Sequence, residues 1–270
     1  MWTRIGLKTR AKEVFRGNYW KAVLAGLLLS VAIGGSYSRS GGGASYGFFD
    51  GIVNYEAFFN RNSMRFGFHT EPGDISGEMF GAMLMAAGII FTVVLMIIVL
   101  AIVADVFLMN PLEIGIRRFY YTNLHQKAEL REIMHGFDHS YKNVVKMMFF
   151  RDLYTFLWSL LFVIPGIVKG YEYRMIPYLL AEYPDMPMED AFTISRNMMY
   201  GNKWKACVLD LSFILWVLLS GITLGLAGIF YVDPYMAQTN AALYDAIKIE
   251  KQPFSGQNPG GYANFADAQQ

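Results

Sequence analysis

Long uncharged runs are the dominant pattern along this chain. They extend over 22–38, 79–104, 153–168 and 211–232. Two of them exceed the roughly 18 residues that are typical of a membrane-spanning helix, and the other two fall just short. The run 79–104 has neither the 3.6-residue periodicity of an amphipathic helix nor the alternation of a half-buried strand. The pattern therefore predicts an all-α, polytopic membrane helix bundle.

We expect six spans in three related helical hairpins. The hairpins occupy about 21–108, 148–182 and 204–243. Glycine and proline interrupt helices and favour tight turns. We therefore predict that the second hairpin turns at Pro165-Gly166 and the third near Ser220-Gly221.

The return helix of the second hairpin carries three charged residues, which are Lys169, Glu172 and Arg174. A charged side chain at the centre of a bilayer costs about 2.5–3.5 kcal/mol. The alternative prediction is therefore four spans, with 167–182 lying in the membrane interface beside other amphipathic helices.

The basic residues predict the orientation of these helices, because Lys and Arg favour cytoplasmic loops. Of the 23 basic residues, 18 fall in the N-terminal segment, in 106–152, in 182–205 and in the C-terminal tail. This distribution predicts that both termini are cytoplasmic. We expect residues 1–250 to form one membrane domain with an outer loop at 38–78, and the polar residues 251–270 to form a disordered cytoplasmic tail.

The composition agrees with a membrane protein and excludes several classes of site. Hydrophobic residues make up 54% of the chain and charged residues only 17%, against about 25% charged residues in soluble domains. The net charge of +1 gives no indication of nucleic-acid binding. Cys207 is the single cysteine, so an internal disulfide is excluded. His135 and His139 have the spacing of two ligands on one helix face, but no third ligand is evident, and neither a metal nor another cofactor is expected.

An internal repeat relates the three hairpins. Residues 17–22 (GNYWKA) and 201–206 (GNKWKA) agree at five of six positions. Each segment follows an amphipathic stretch and precedes an apolar run. A proline also closes each hairpin: Pro111, Pro177 and Pro234. We interpret the three hairpins as copies of one unit.

Each repeated segment contains a tryptophan followed by a lysine. Tryptophan prefers the headgroup layer, and lysine extends its amine to the anionic cytoplasmic face. Trp20, Lys21, Trp204 and Lys205 are therefore predicted to be interfacial anchors, although a ligand-binding role for either tryptophan stays open. The preceding stretches, including the basic residues 3–16, are predicted to be amphipathic helices on the membrane surface.

Acidic residues inside a span are candidates for function. Asp105 lies near the inner end of the second span, and Asp210 lies at a similar depth in the fifth span. The two could bind a cation or a proton, or could pair with Lys205 or Arg151. Lys169, Glu172 and Arg174 form a further candidate polar group, which could line a cavity. The alternative for this group is an ion pair of Glu172 with Arg174 or Lys169.

Several segments in fixed order carry a resemblance to a known family. They are LKTRAKEVFRGNYWKA at the start, then PGIVK (165–169), YLLAE (178–182), GNKW (201–204), LDLSF (209–213) and DPY (233–235). This set resembles the bacterial domain of unknown function 975 family. The resemblance implies a multi-pass protein of a bacterial cytoplasmic membrane, and it implies no particular activity.

The chain contains no motif that indicates catalysis. Phosphate loops, nucleophile elbows and paired-carboxylate sites are all absent from the sequence. We therefore expect a non-enzymatic module for membrane assembly, envelope homeostasis or partner binding, in contact with lipid and with other membrane proteins or its own copies. The alternative is a transporter of ions or small molecules, or a transporter subunit, that uses Asp105 and Asp210.

Overall fold

The computed structural model describes residues 2–32, 77–138 and 140–251. Helices and turns make up all the regular structure of these residues, so the all-α prediction is confirmed. The predicted outer loop, apart from residues 77 and 78, lies outside the described residues, as do the predicted tail beyond Lys251 and His139.

The first unit begins with an amphipathic helix that packs against the bundle. Its elements are α1 (Arg4–Gly17), α2 (Tyr19–Ala32), α3 (Gly77–Ala104), a π-helical turn (Asp105–Met109) and α4 (Asn110–Asn123). The Thr3 side chain caps α1 by accepting a hydrogen bond from the Gly6 amide at 3.2 Å. Leu7, Ala11 and Phe15 form the buried stripe of α1, which agrees with the predicted amphipathic helix.

The second unit contains the first hairpin whose turn the structure describes. Its elements are a 3₁₀ helix (Leu130–Met134), α5 (His135–Asp138), α6 (Tyr141–Leu161), α7 (Val163–Tyr173) and α8 (Ile176–Glu182). The chain turns at Phe162, which has extended backbone angles, and the predicted turn at Pro165-Gly166 lies inside α7. Gly166 serves helix contact instead, because a Cβ atom there would lie 2.6 Å from the Ser159 Cα.

The third unit repeats this hairpin. Its elements are α9 (Met188–Met199), α10 (Lys203–Leu211), α11 (Ile214–Ile222), a π-helical turn (Gly228–Val232) and α12 (Asp233–Lys251). The turn lies at 223–225, slightly beyond the predicted Ser220-Gly221, because the chain reverses where Leu224 and Gly225 take positive φ angles of 52° and 88°. Gly228 packs against Ser220 as Gly166 packs against Ser159.

In every unit the helical structure is interrupted before its last helix, and a proline lies at the start of that helix. Pro111, Pro177 and Pro234 each occupy the second residue of the helix that follows the break. Proline suits this position because its missing N–H would have no partner in the first helical turn. The three helices that begin here are α4, α8 and α12, which we call the central helices. α4 packs against both α8 and α12, and Tyr178 of α8 stacks on Tyr244 of α12.

The three units interlock in a closed ring. The leading segment of each unit packs on the central helix of another: α1 on α12, residues 130–138 on α4, and α9 on α8. The N-terminal helix thus closes on the C-terminal helix, and an ion pair between Arg10 and Asp245 at 2.6 Å joins the two. Each unit is therefore held by its neighbours as well as by its own hairpin.

Two of the described helices are long and apolar enough to cross a membrane. They are Gly81–Asn123, which joins α3 to α4, and Lys203–Ile222. α2 is also apolar but is 14 residues long. This finding gives coarse support for membrane association, and the six-span arrangement stays a prediction.

Close contact between α4 and the leading segment of the second unit gives a stability prediction. A Cβ atom at Gly115 would lie 1.7 Å from the Ile133 carbonyl oxygen, whereas Gly88 of α3 has open space around it. Gly115→Ala should therefore destabilise the protein by about 1–3 kcal/mol through overpacking. Thermal unfolding of the purified protein in detergent measures the effect. Gly88→Ala is the matched control, and equal Tm values for the two variants would contradict the described packing.

Candidate functional site

Buried polar side chains meet between the units in three places, which we call the clasps. Ser30 of α2 donates to Asp233 at 3.1 Å. Arg151 of α6 donates two hydrogen bonds to Glu113 of α4 at 3.2 and 3.3 Å. Arg174, at the end of α7, pairs with Asp210 of α10. Each clasp therefore joins the outgoing helix of one unit to the returning part of another.

The clasp between Arg174 and Asp210 is bidentate. Two guanidinium nitrogens donate to the two carboxylate oxygens at 2.7 and 2.9 Å. The Tyr171 hydroxyl donates to the same carboxylate at 2.9 Å, and Arg174 also donates to the Asn240 side chain at 2.5 Å. Charge-assisted, bidentate hydrogen bonds are among the strongest in proteins. Asp210 is therefore engaged by Arg174, and neither Lys205 nor Arg151 is its partner.

The clasp at Glu113 belongs to a larger charged network. Arg117 donates to Glu113 at 2.9 Å, and Arg151 also pairs with Asp152 at 2.7 Å. The two arginines and two carboxylates neutralise one another in formal charge. Sequence reasoning missed Glu113 and Arg117, although their i, i+4 spacing directly after Pro111 was a usable signal.

Glu172 is the centre of a separate group. It pairs with Lys169 at 2.6 Å and with Lys203 at 2.5 Å. The structure thus contains the ion pair between Glu172 and Lys169 that was one of the sequence alternatives, and adds Lys203 from the repeated segment. Arg174 lies in the neighbouring clasp instead.

Asp105 lies apart from the clasp that contains Asp210. It is half-buried in the π-helical turn, close enough to Arg151 for electrostatic attraction. Among the described residues, its carboxylate has no hydrogen-bond partner in the structure. The structure therefore does not bring Asp105 and Asp210 together as one site.

The predicted anchors lie on the outside of the bundle. The side chains of Trp20, Lys21 and Trp204 are exposed, and Lys205 lies 6.0 Å from the ring of Trp2. Trp2 donates from its indole nitrogen to Asn202 at 3.3 Å, so the start of the chain contacts the second repeated segment. Exposed aromatic and basic side chains suit a headgroup layer.

A further polar group, near the C-terminal end of α12, was not predicted. Lys248 donates to both oxygens of Glu182 at 2.6 and 2.8 Å, and the Tyr244 hydroxyl donates to the same carboxylate. Burial, together with the negative charge of Glu182, raises the pKa of Tyr244 well above its usual value. Tyr244 therefore stays protonated and remains a donor. Glu182 lies 62 residues before Tyr244 and 66 residues before Lys248, so no spacing signal could have joined it to them.

A polar cavity of about 500 Å³ lies between α4 and the segment that leads the second unit. Its charged lining includes Arg118, Lys127, Arg131, Glu129, Glu132 and Asp138. Arg118 is already paired with Glu132 at 2.7 Å. His135 also lines the cavity, but the described part of the chain holds no group of three His, Cys, Asp or Glu side chains arranged for a metal ion.

Comparison with known proteins identifies the family of this chain. The matching family model is described as "Protein of unknown function (DUF975)" and covers residues 78–251. The chain belongs to the DUF975 family. No curated protein and no solved structure matches the chain significantly.

The DUF975 match contains two of the three clasps completely. It includes the pairs Arg151–Glu113 and Arg174–Asp210, and it includes Asp233 of the first clasp. α1 and α2, with Ser30, precede the matched range. Because the function of DUF975 is unknown, membership assigns no activity to the clasps.

The clasp between Arg174 and Asp210 gives a prediction on stability. Asp210→Leu leaves a buried guanidinium without its carboxylate, which should destabilise the protein by about 3–5 kcal/mol. The double variant Arg174→Met with Asp210→Leu removes both charges and should recover most of this loss. Thermal unfolding in detergent is the measurement.

A matched control for this prediction is available in the pair of Arg118 and Glu132, whose side chains are each 31% exposed. Glu132→Leu should cost about 0–1 kcal/mol, because water screens and replaces the lost interaction. A Tm for Asp210→Leu equal to that of Glu132→Leu would refute a structural role for the clasp.

Proposed function

We propose that this DUF975 protein is a non-catalytic integral membrane module of a bacterial cytoplasmic membrane. It acts in membrane assembly, envelope homeostasis or partner binding, with both termini in the cytoplasm. Its partners are lipid and other membrane proteins or further copies of itself, without nucleic acid or a cofactor.

The observation that carries this proposal is the exposure of α3. From residue 81 to residue 103, all side chains except those at 81 and 98 are exposed, and the segment is free of charge. Water would make such a surface unfavourable by about 25 cal/mol for each Å² of apolar area. The segment therefore requires a lipid environment or a partner helix.

The engagement of the polar residues supports a non-catalytic role. Asp210, Glu172 and Glu113 each hold a basic side chain within 3.3 Å. A catalytic acid or nucleophile has to be free to meet a substrate, whereas these carboxylates join helices. Turnover of a lipid or peptide by the purified protein that is lost in Asp210→Asn would contradict this role.

Cytoplasmic termini rest on the distribution of basic residues and on the anchors. The leading helices and the segments 106–152 and 182–205 hold most of the basic side chains. The six-span arrangement and the four-span arrangement with interfacial helices both fit this orientation.

Single cysteines test the orientation directly. Asp185→Cys and Lys142→Cys alter exposed residues on the expected cytoplasmic side. In a Cys207→Ala background, a membrane-impermeant maleimide should label neither position in intact cells, and should label both after the cells are opened. Labelling of either cysteine in intact cells would overturn the orientation.

Partner binding by α3 is tested by photocrosslinking in native membranes. A photoreactive amino acid replaces Phe91 of α3, which is 69% exposed, or Ile249 of α12, which is 64% exposed and serves as the matched control. The Phe91 position should give one protein adduct of defined mass that the Ile249 position lacks. If the Phe91 position gives only lipid adducts, α3 is a membrane anchor and the proposal that it binds a partner is wrong.

A transporter is the second candidate, favoured by buried polar atoms that lack a hydrogen-bond partner. Among the described residues, buried Asn110 Nδ2, Asp152 Oδ2 and Asp233 Oδ1 have no hydrogen-bond partner. Two of these residues flank π-helical turns, which are frequent at functional sites. Asp105 lies in one of the same turns.

Flux measurements in proteoliposomes distinguish this candidate from the first. A transporter should carry protons or cations, and Asp105→Asn and Asp210→Asn should abolish the flux, whereas Glu132→Gln, at a partly exposed surface pair, should leave it unchanged. Equal flux in all three variants would exclude Asp105 and Asp210 from transport.

A further inference from the structure

Two lysines meet one carboxylate where the second hairpin contacts the third unit. We call Lys169 and Glu172 of α7 and Lys203 of α10 the lysine site. The Lys169 amine donates to Glu172 Oε2 at 2.6 Å, and the Lys203 amine donates to Glu172 Oε1 at 2.5 Å. The nearby clasp of Arg174 and Asp210 is neutral in formal charge, whereas the lysine site carries one excess positive charge.

Both ammonium groups of the lysine site retain unused hydrogen-bond donors. A lysine ammonium has three N–H donors, and Glu172 uses one on each lysine. Within the part of the chain that the structure describes, neither amine contacts another oxygen acceptor. The side chains of Lys169 and Lys203 are 24% and 31% exposed, so a molecule outside the bundle can reach them. The site can therefore accept a second, anionic group.

Charge balance indicates which anion suits the lysine site. One monoanionic group brings the formal charge of two lysines and one glutamate to zero. A phosphodiester carries a single negative charge, and its charge-assisted hydrogen bonds to ammonium groups are roughly twice as strong as neutral ones. Free inorganic phosphate near neutral pH carries up to two negative charges and would leave the site negative. A zwitterionic headgroup adds an ammonium group that the two lysines repel.

Exposed apolar side chains lie beside the lysine site. The Lys169 amine lies 5.4 Å from the centre of the Trp158 ring, which is 40% exposed. Val168 is 42% exposed, and Leu161, three residues after Trp158 on the same side of α6, is 62% exposed. Residues 153–168 carry no charge. This surface suits the acyl chains of a lipid, which a soluble anion lacks.

Contacts with α9 hold both sides of the lysine site in position. The Ser195 hydroxyl donates to the Glu172 carbonyl at 2.6 Å, which fixes the end of α7. The Asn202 side chain donates to the Met198 carbonyl at 3.1 Å, directly before Lys203 begins α10. Donors held in place before binding lower the entropic cost of capturing a ligand.

We propose that the lysine site binds the phosphodiester headgroup of an anionic phospholipid. Lys169 and Lys203 donate to the phosphate oxygens, and the acyl chains lie against Trp158 and the uncharged side chains of the second hairpin. This inference rests on the proposed membrane location and names the class of lipid that the proposed role leaves open. Because the two lysines belong to different units, a lipid bound here also strengthens the contact between those units.

Native mass spectrometry of the purified protein in a non-ionic detergent tests the lysine site. The probes are phosphatidylglycerol and phosphatidylethanolamine with identical acyl chains, since both contain the phosphodiester and only the second adds an ammonium group. The protein should retain one phosphatidylglycerol more tightly than phosphatidylethanolamine. Lys169→Gln with Lys203→Gln should weaken phosphatidylglycerol binding by about 25-fold, because each lysine near an anionic lipid contributes roughly fivefold in affinity.

Matched variants separate lipid binding from a structural role of the lysines. Lys142→Gln with Lys146→Gln removes the same charge from two exposed residues of α6 and should leave the affinity unchanged. Glu172→Gln keeps both lysines and should tighten phosphatidylglycerol binding, whereas lysines that served only to neutralise Glu172 would give no such gain. Combining Glu172→Gln with Lys169→Gln and Lys203→Gln leaves no unpaired charge and measures the loss of binding should the double variant not fold.

The outcomes distinguish the lysine site from the membrane location on which it rests. Equal affinity for the two lipids, or undiminished phosphatidylglycerol binding in the triple variant, would overturn the lipid site and leave the membrane location intact. Displacement of phosphatidylglycerol by inorganic phosphate alone would overturn it in favour of a site for free phosphate. Binding of neither lipid, by a protein that stays monodisperse without detergent, would refute the membrane location itself.

Discussion

Arginine side chains buried between helices constrain the whole bundle. Arg151 and Arg174 are almost inaccessible to solvent, and removing the partner of such a side chain costs about 3–5 kcal/mol. Glu113 and Asp210 supply the partner carboxylates from other units. A hairpin therefore cannot slide or rotate against its neighbour without separating buried charges. At the third junction, between the first and third units, Ser30 donates a hydrogen bond to Asp233, and this contact closes the ring.

The polar clasps and the apolar hairpin turns are two contrasting parts of the molecule. The clasps bury charged and polar side chains between helices, whereas α3 and the hairpin turns at Phe162 and Leu224 expose uncharged side chains. Pro111, Pro177 and Pro234 each lie within three residues of a clasp residue, namely Glu113, Arg174 and Asp233. In the proposed membrane location, the paired charges of the clasps lie near the headgroups, where desolvation costs least, and uncharged side chains meet the acyl chains.

Membership of DUF975 covers the part of the chain that carries most of this interlocking. In the proposed role as a membrane module, the interlocked units form a frame, and α3 is the exposed helix that this frame presents to lipid or to a partner. In such a frame, charged residues serve to position helices, and the surface available to partners is apolar.

Uncharged runs and periodicity in the sequence determined the helical class, the amphipathic leading helices, the repeated unit and the breaks near its prolines, because these features depend on local spacing. The pairing of charges was decided by the tertiary structure. Asp210 meets Arg174, and Asp105 lies elsewhere, since partners 36 residues apart are selected by helix packing. Both turns also lie away from their predicted positions, at Phe162 and at Leu224-Gly225. The reason is that Gly166 and Gly228 allow close contact between helices, against Ser159 and Ser220. The sequence identifies residues that can interrupt a helix or allow it to be buried. Only the packing of the helices decides which of the two each residue does.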